Sequence, residues 1–151
     1  MRIQNSVIIK KPIQEVFDIT NDIEQWPNIF TEYAKSEVIE KNNDYIKFKL
    51  TTFPDNKGVQ ESWVSERFID RKNWMITAKR LEPVYPFQFM DIKWIYKSVQ
   101  EGTEMTWEQS FSMDYESGFV DEEVAENMNI NTKVQMLAIK EKIESGYKNE
   151  K

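Results

Sequence analysis

Polar and apolar residues alternate along the middle of the chain, from about residue 35 to residue 114. A period of two predicts strands, because successive side chains of a strand point to opposite faces. The predicted strands are 36–42, 45–53, 58–70, 74–82, 88–99 and 104–114. Short polar connections separate them, which favours consecutive antiparallel hairpins. A β-branched run over 2–10 predicts one more strand at the start of the chain.

Helical signals follow the first predicted strand. Pro12 suits the first turn of a short helix that reaches about Thr20. Asn21 is a good cap for a second short helix, which the dipeptide Trp26-Pro27 is expected to end or bend.

A long C-terminal helix is predicted over about 121–147, where apolar residues recur at helical spacing. Its predicted inner face comprises Val124, Met128, Asn131, Val134, Gln135 and Ala138. The order of elements predicts an α+β fold, in which a seven-stranded antiparallel sheet wraps around the long helix. The interior of such a fold is either packed solid or left as a pocket. The length of the chain favours a single domain over 1–151.

Alternation also predicts which side chains face that interior. In 58–70 the odd positions are the more apolar, and they carry Ser65 and Arg67 inward beside Trp63. In 104–114 the odd positions are apolar except for Gln109. The other strands are predicted to direct further candidate residues inward: Phe48, Arg80, Met90 and Trp94.

The two inward arginines have two interpretations, and the sequence leaves both open. A buried arginine without a partner is costly, so Arg67 and Arg80 could form structural ion pairs with Glu61, Glu82 or another carboxylate. They could instead line a partly wet pocket with aromatic walls, which is how many small-molecule sites are built. The tryptophans on the same faces would serve equally well as core residues.

The composition of the chain excludes several classes of binding and catalytic site. The chain has 20 Lys and Arg against 26 Asp and Glu, and this acidic balance argues against nonspecific nucleic-acid binding. It contains no cysteine and no histidine, which excludes disulfides, thiolate metal sites and a Ser-His-Asp triad. No run approaches the roughly 20 apolar residues of a membrane span, and a signal-peptide core is missing. We therefore expect a cytoplasmic protein without a membrane partner.

The segment Trp63-Val64-Ser65-Glu66-Arg67 resembles the W-x-S-x-R strand of bacterial aromatic polyketide aromatase/cyclases of the tetracenomycin and spore-pigment type. Other segments agree with that family in the same order: 12–17, 21–27, 80–94, 105–109 and 131–139. The resemblance covers nearly the whole chain. It implies the START-like helix-grip fold of the SRPBCC, or birch-pollen-allergen-like, superfamily. The segment 82–86, with its two prolines, is unlike the shorter turn of the family.

The resemblance implies a polyketide aromatase/cyclase that works without a cofactor or a metal. Its substrate would be a poly-β-ketone tethered to an acyl carrier protein, and the reaction a regiospecific aldol cyclisation followed by dehydration. Carried over by position, the catalytic residues would be Arg67, Tyr33 and Ser65. The substrate-binding residues would be Trp26, Phe48, Trp63, Arg80, Met90, Trp94, Gln109 and Asn131. A monomer or a weak dimer is expected.

These residue types suit that chemistry. A methylene between two carbonyls is already acidic, so the lack of histidine is tolerable. Arg67 could hold the enolate or alkoxide oxygen, and Tyr33 could donate a proton to the ketone under attack. Ser65 and Gln109 would orient carbonyls or a water molecule.

Two other functions remain open at this point. One is a noncatalytic carrier of a hydrophobic ligand, such as a lipid or quinone, in the same fold. The other is a small interaction module with a filled core. Docking of an acidic carrier protein would further require a basic patch, for which the candidates are Lys10, Lys11, Lys35, Arg71, Lys72 and Lys79.

Overall fold

The alternating stretch forms an antiparallel sheet of seven strands in the computed structural model, which describes residues 1–147. The strands are β1 (Arg2–Ile9), β2 (Tyr33–Lys41), β3 (Tyr45–Thr52), β4 (Ser62–Asp70), β5 (Met75–Glu82), β6 (Phe87–Val99) and β7 (Gly102–Met113). Their order in the sheet is β1-β7-β6-β5-β4-β3-β2. Every adjacent pair of strands except β1 and β7 is therefore also consecutive in the sequence. The predicted α+β architecture is confirmed.

The helices are α1 (Ile13–Thr20), α2 (Trp26–Ile29) and α3 (Asp121–Glu144), with short 3₁₀ turns at Ile23–Gln25 and Tyr115–Ser117. The predicted second short helix is the 3₁₀ turn Ile23–Gln25, which ends immediately before Trp26, and Pro27 lies in the first turn of α2, which follows it. The first turn of a helix leaves its N–H groups unpaired, and proline therefore suits that position. Within residues 1–147, none of these helices has both the length and the apolar character needed to span a bilayer.

Several predicted boundaries also need correction, and β2 begins at Tyr33 rather than at 36. β4 begins at Ser62 rather than at 58, because the Asp55 side chain accepts hydrogen bonds from the Lys57 and Val59 N–H groups and closes a turn instead. β5 begins after Trp74, whose φ of 53° lies in the left-handed region. α3 ends at Glu144 rather than at 147.

The predicted inward faces of the strands are confirmed, and the predicted face of α3 is right in part: Gln135 is buried and Val124, Met128 and Ala138 are half-buried. The Val134 side chain is 51% exposed, and Asn131 is also exposed. The residues that α3 buries are Ala125, Thr132, Gln135, Met136, Ile139 and Ile143. This helix carries apolar residues on two faces, so spacing alone does not indicate which one meets the sheet.

The larger packed cluster of the core extends to one end of the sheet, and a smaller one, around the fully buried Phe111, lies toward the other end. In the larger cluster, Ile9, Ile76, Met105 and Ile143 are fully buried where β1 ends and where β5 and β7 begin. Complete burial of a side chain of this size contributes about 1.5–3 kcal/mol to folding. Toward the other end, where the connections 53–61 and 83–86 lie, the space between α3 and the sheet stays open as a cavity.

Candidate functional site

The cavity has a volume of about 290 Å³ and lies between the inner face of the sheet, α2 and α3. This is close to the lower limit of roughly 300 Å³ for small-molecule pockets. All eleven residues predicted from the sequence line it: Trp26, Tyr33, Phe48, Trp63, Ser65, Arg67, Arg80, Met90, Trp94, Gln109 and Asn131. The structure therefore brings the whole predicted set together around one space.

Strand β4 runs along the wall of the cavity from its floor to its mouth. Arg67 at the floor is 1% exposed, Ser65 is buried, Trp63 is half-buried and Glu61 beyond them is exposed. Because β4 alternates strictly, these four side chains share one face.

The neighbouring strands extend the wall in cross-strand rows. Arg67 pairs with Ala78 on β5, which pairs with Ile92 on β6. Ile92 pairs in turn with Gln109 on β7. The pairing register thus sets a charged group and an amide at opposite ends of one row.

Arg67 carries a buried positive charge without a counter-charge. Its Nη2 donates a hydrogen bond to Oδ1 of Asn21 at 2.8 Å, while its Nε has no hydrogen-bond partner in the described structure. Within residues 1–147 it forms no ion pair with a carboxylate, so the ion-pair interpretation of Arg67 is wrong. The guanidinium carbon lies 4.3 Å from the ring centre of Trp94 and 5.1 Å from that of Trp26.

Burial lowers the pKa of Arg67 to about 10, although the nearby hydroxyls of Tyr96 and Tyr33 oppose this shift. The group therefore stays charged at neutral pH. A desolvated cation with a free N–H is a strong site for an anionic oxygen, because few water molecules screen the attraction.

Tyr33 and Glu32 form a second polar group in the cavity wall. The Tyr33 ring stacks on Trp26 at 5.8 Å, and burial raises the pKa of its hydroxyl well above the ordinary value, with a further contribution from the Glu32 carboxylate. Burial also raises the pKa of Glu32, whose Oε2 accepts a hydrogen bond from Asn131 Nδ2 at 3.0 Å. Both groups therefore favour their protonated forms more than they would in water.

Glu32 also lines the cavity, although the pattern of the sequence did not predict it as a site residue. This residue lies in the connection before β2, where alternation does not apply. Its position next to Tyr33 was the only available signal.

Parallel aromatic rings form the flat walls of the cavity. The rings of Trp94 and Trp107 stack with centres 4.2 Å apart, and Phe30 stacks on Trp107 at 5.9 Å. Trp26 is also nearly parallel to Trp94, with ring centres 5.9 Å apart. Stacked walls of this kind suit a planar, conjugated ligand.

The polar residues on the α3 side are tied to each other. Thr132 donates a hydrogen bond to the Gln109 side chain at 3.0 Å. Gln135 holds α3 to the connection before β2, because its Oε1 accepts from the Thr31 N–H at 2.8 Å. Gln109 is thus already engaged, whereas the Ser65 hydroxyl has no hydrogen-bond partner among residues 1–147 and lines the cavity.

Arg80 fastens the turn at the mouth of the cavity. Its Nε donates to the Pro83 carbonyl at 2.7 Å, and its Nη2 donates to the Tyr85 carbonyl at 3.3 Å. The guanidinium also lies 4.8 Å from the Trp63 ring centre. In the described part of the chain it forms no ion pair with Glu61 or Glu82, although the Glu61 charge partly offsets the pKa lowering that burial causes.

Comparison with known proteins places this site in a family. Residues 9–133 match the family model described as polyketide cyclase/dehydrase and lipid transport. A Streptomyces cyaneus protein provisionally named a polyketide cyclase is 39% identical over 141 residues, which is 93% of this chain and 92% of that protein.

Two solved structures share the fold at low identity. The Zhui aromatase/cyclase of Streptomyces sp. R1128 has a TM-score of 0.75 at 18% identity, covering 91% of this chain and 87% of its own. A START superfamily protein from Mycobacterium smegmatis has a TM-score of 0.80 at 11% identity, covering 95% and 97%. The fold is thus START-like, as the resemblance implied. Together with the match over 9–133, these findings show that the chain belongs to the polyketide cyclase/dehydrase and lipid transport family.

Proposed function

We propose that this protein is a polyketide aromatase/cyclase, which directs an aldol cyclisation and dehydration of a poly-β-ketone held on an acyl carrier protein. The observation that carries the proposal is Arg67, a buried cation without a counter-charge at the floor of an aromatic cavity. A protein that only needed a stable core would gain nothing from a charge there, since an unpaired buried charge is costly.

The cavity supplies orientation. A flexible polyketone has many conformers, and the flat walls of Trp26, Trp94 and Trp107 favour those in which one segment of the chain lies planar. Orientation of this kind contributes up to roughly 7–11 kcal/mol of barrier reduction in the best intramolecular cases.

The guanidinium of Arg67 supplies electrostatic stabilisation. Removal of a proton from a methylene between two carbonyls leaves an enolate, whose carbon then attacks a distant ketone of the same chain. The new carbon–carbon bond leaves the negative charge on the ketone oxygen as an alkoxide. The Arg67 guanidinium lies in the cavity wall and would stabilise such an oxygen electrostatically; a single preorganised donor contributes about 3–4 kcal/mol in comparable sites.

Glu32 and Tyr33 are suited to the proton transfers. Glu32, made more basic by burial, takes the proton of the methylene, and the neutral hydroxyl of Tyr33 gives a proton to the alkoxide. Loss of water from the resulting alcohol, with a further proton from the adjacent carbon, begins the aromatic ring. Ser65 offers its hydroxyl to a substrate carbonyl.

The carrier protein would approach the mouth of the cavity, near connections 53–61 and 83–86. Of the six basic residues considered for docking, Lys79 lies on β5 beside the cavity wall, but its side chain is on the outer face of that strand, where its Nζ lies 3.7 Å from the Glu66 carboxylate. Lys10, Lys11, Arg71 and Lys72 lie at the opposite end of the sheet, beyond the ends of β1 and β4. The six residues therefore do not form one basic patch at the mouth of the cavity.

Noncatalytic carriage of a lipid or quinone is the second candidate function. The mostly apolar lining of the cavity favours it, and the family description includes lipid transport. Such a carrier would need no general base or oxyanion donor.

A reconstituted minimal polyketide synthase distinguishes the two candidates. It would be run with and without this protein, and the products compared by mass and ring pattern. The proposal predicts one defined aromatic product that depends on the protein. An unchanged mixture of spontaneous products, together with tight binding of a quinone or lipid, would instead establish the carrier.

A further inference from the structure

We propose that Asn21 is a positioning residue, which aims the guanidinium of Arg67 into the cavity without neutralising its charge. This inference rests on the proposed role of Arg67 as the donor to an anionic oxygen. Asn21 lies directly after α1, is buried, and does not line the cavity itself.

The amide of Asn21 has a fixed orientation. Its Nδ2 donates to the Phe17 carbonyl at 2.9 Å and to the Tyr96 hydroxyl at 3.2 Å. These two donor contacts leave Oδ1 facing Arg67, where it accepts from Nη2 at 2.8 Å. The Tyr96 hydroxyl is itself held, because it lies 2.6 Å from the Thr20 hydroxyl.

A neutral acceptor is the important feature at this position. An aspartate of the same shape would also accept from Arg67, but the pair would then be electrically neutral. It would further place a carboxylate oxygen against the Phe17 carbonyl, which has no proton to offer. The amide therefore orients the guanidinium while its positive charge remains available to a ligand.

Among residues 1–147, no carboxylate forms an ion pair that cancels this charge. The titratable groups facing Arg67 are the hydroxyls of Tyr96 on β6 and Tyr33 at the start of β2. Burial raises the pKa of Tyr96 to about 12 and that of Tyr33 well above its ordinary value, so both are neutral at physiological pH. Asn21 thus sets both the direction and the net charge of the donor.

The experiment compares two probes of similar shape: para-nitrophenol, whose hydroxyl ionises near neutral pH, and its uncharged methyl ether, para-nitroanisole. Affinities are measured on the intact protein across pH, and the absorbance of nitrophenolate reports its ionisation when bound. The wild-type protein is expected to lower the pKa of bound nitrophenol and to prefer the phenolate over the ether. Arg67→Met defines the behaviour of a cavity without the cation.

Asn21→Asp is expected to reduce the preference for phenolate about tenfold or more, which is the usual contribution of a hydrogen bond to a charged group. Asn21→Ala, which removes the anchor but adds no charge, should also lose part of the preference. Asn42→Asp makes the same chemical change in the exposed turn between β2 and β3 and should behave as wild type.

A purely structural role for Asn21 would lower the stability of both variants to urea and leave the ratio of phenolate to ether affinity unchanged. That unchanged ratio, in whichever of the two variants is folded, would overturn the inference. Because this readout needs no polyketide, a protein that fails to cyclise but retains an Asn21-dependent preference for phenolate would contradict only the proposed function.

Discussion

At the residue scale, the charge of Arg67 that the proposed function requires does not stabilise the fold. The lowering of its pKa from 12.5 to about 10 corresponds to about 3 kcal/mol of unfavourable free energy at neutral pH. Its contacts with the rings of Trp94 and Trp26 return roughly 0.5–2 kcal/mol each. The charge is therefore neutral or unfavourable for folding, as at many functional sites.

We predict that Arg67→Met leaves the free energy of unfolding unchanged or raises it by up to about 3 kcal/mol. Methionine fills a similar volume and removes the desolvated charge. Urea unfolding of the variant and of the wild-type protein measures the difference. A loss of more than about 2 kcal/mol would mean that Arg67 is a structural residue.

Through Glu32, both the stability of the fold and the rate of cyclisation should depend on pH. Its folded pKa is raised, so the folded state holds more protons than the unfolded state between the unfolded and folded values. The contribution of Glu32 to the free energy of unfolding is therefore most favourable at low pH, and it is lost as the pH rises through the folded pKa of Glu32. As a base, by contrast, Glu32 acts only when ionised, so cyclisation should slow as the pH falls below that value.

Glu32→Gln should accordingly abolish the acidic limb of the rate profile and lower kcat by roughly 10²–10⁴-fold, the usual contribution of a general base. It should also stabilise the fold at neutral pH. Rates and unfolding curves across pH test both effects. Glu101→Gln, in the exposed turn between β6 and β7, is the control, and an unchanged acidic limb in Glu32→Gln would assign the base to another group.

At the scale of elements, strand pairing holds the cavity walls in register. β7 begins at Gly102, whose φ of 145° suits glycine. A Cβ built there would lie 2.3 Å from the carbonyl oxygen of Ile9, which is the last residue of β1. The close approach of β1 to the start of β7 therefore depends on the absence of a side chain.

We predict that Gly102→Ala destabilises the fold by more than Gly58→Ala does. Gly58 has a φ of 78° but open space around it, so alanine there costs about 1–2 kcal/mol from backbone strain alone. Gly102→Ala adds a steric clash with backbone, which typically costs a further 1–3 kcal/mol. Equal denaturant midpoints for the two variants would contradict this account of the β1–β7 edge.

The elements also show what the sequence can predict and why. Alternation in a strand is a local property, so the inward positions of Trp63, Ser65 and Arg67 followed from residue spacing. The face of α3 followed only in part, because Val134 and Ile139 are equally apolar and only contact with the sheet distinguishes them. Similarly, many carboxylates could have paired with Arg67, and only the fold shows that Asn21, far away in the sequence, is its partner.

At the scale of the whole molecule, an open cavity lies between two packed clusters of buried side chains. Natural protein interiors are close-packed, so an unfilled space of this size indicates a binding cavity as much as the residues that line it do. A third function considered from the sequence, a small module with a filled core, would not leave this space.

A substitution that fills the cavity should raise the stability of the fold and abolish ligand binding. Ala78 is buried in the cavity wall between Arg67 and Ile92, so Ala78→Leu places extra carbon atoms into open space. We predict a gain of about 0.5–2 kcal/mol in stability, as is common for cavity filling, and a loss of naphthol binding measured by tryptophan fluorescence. Thr77→Leu, on the outer face of the same strand, should retain binding. Retained naphthol binding in Ala78→Leu would mean that ligands bind elsewhere.

The central claim is that the uncompensated charge of Arg67 directs ring closure. The most direct measurement is the ring pattern formed by a reconstituted polyketide synthase with wild-type protein, Arg67→Met or Arg71→Met, each at the same folded concentration. Arg71 is an exposed arginine paired with Asp18, so its variant controls for the loss of one positive charge. The account predicts one defined aromatic product with wild type and Arg71→Met, and the spontaneous mixture with Arg67→Met. The same defined product from all three proteins would contradict it.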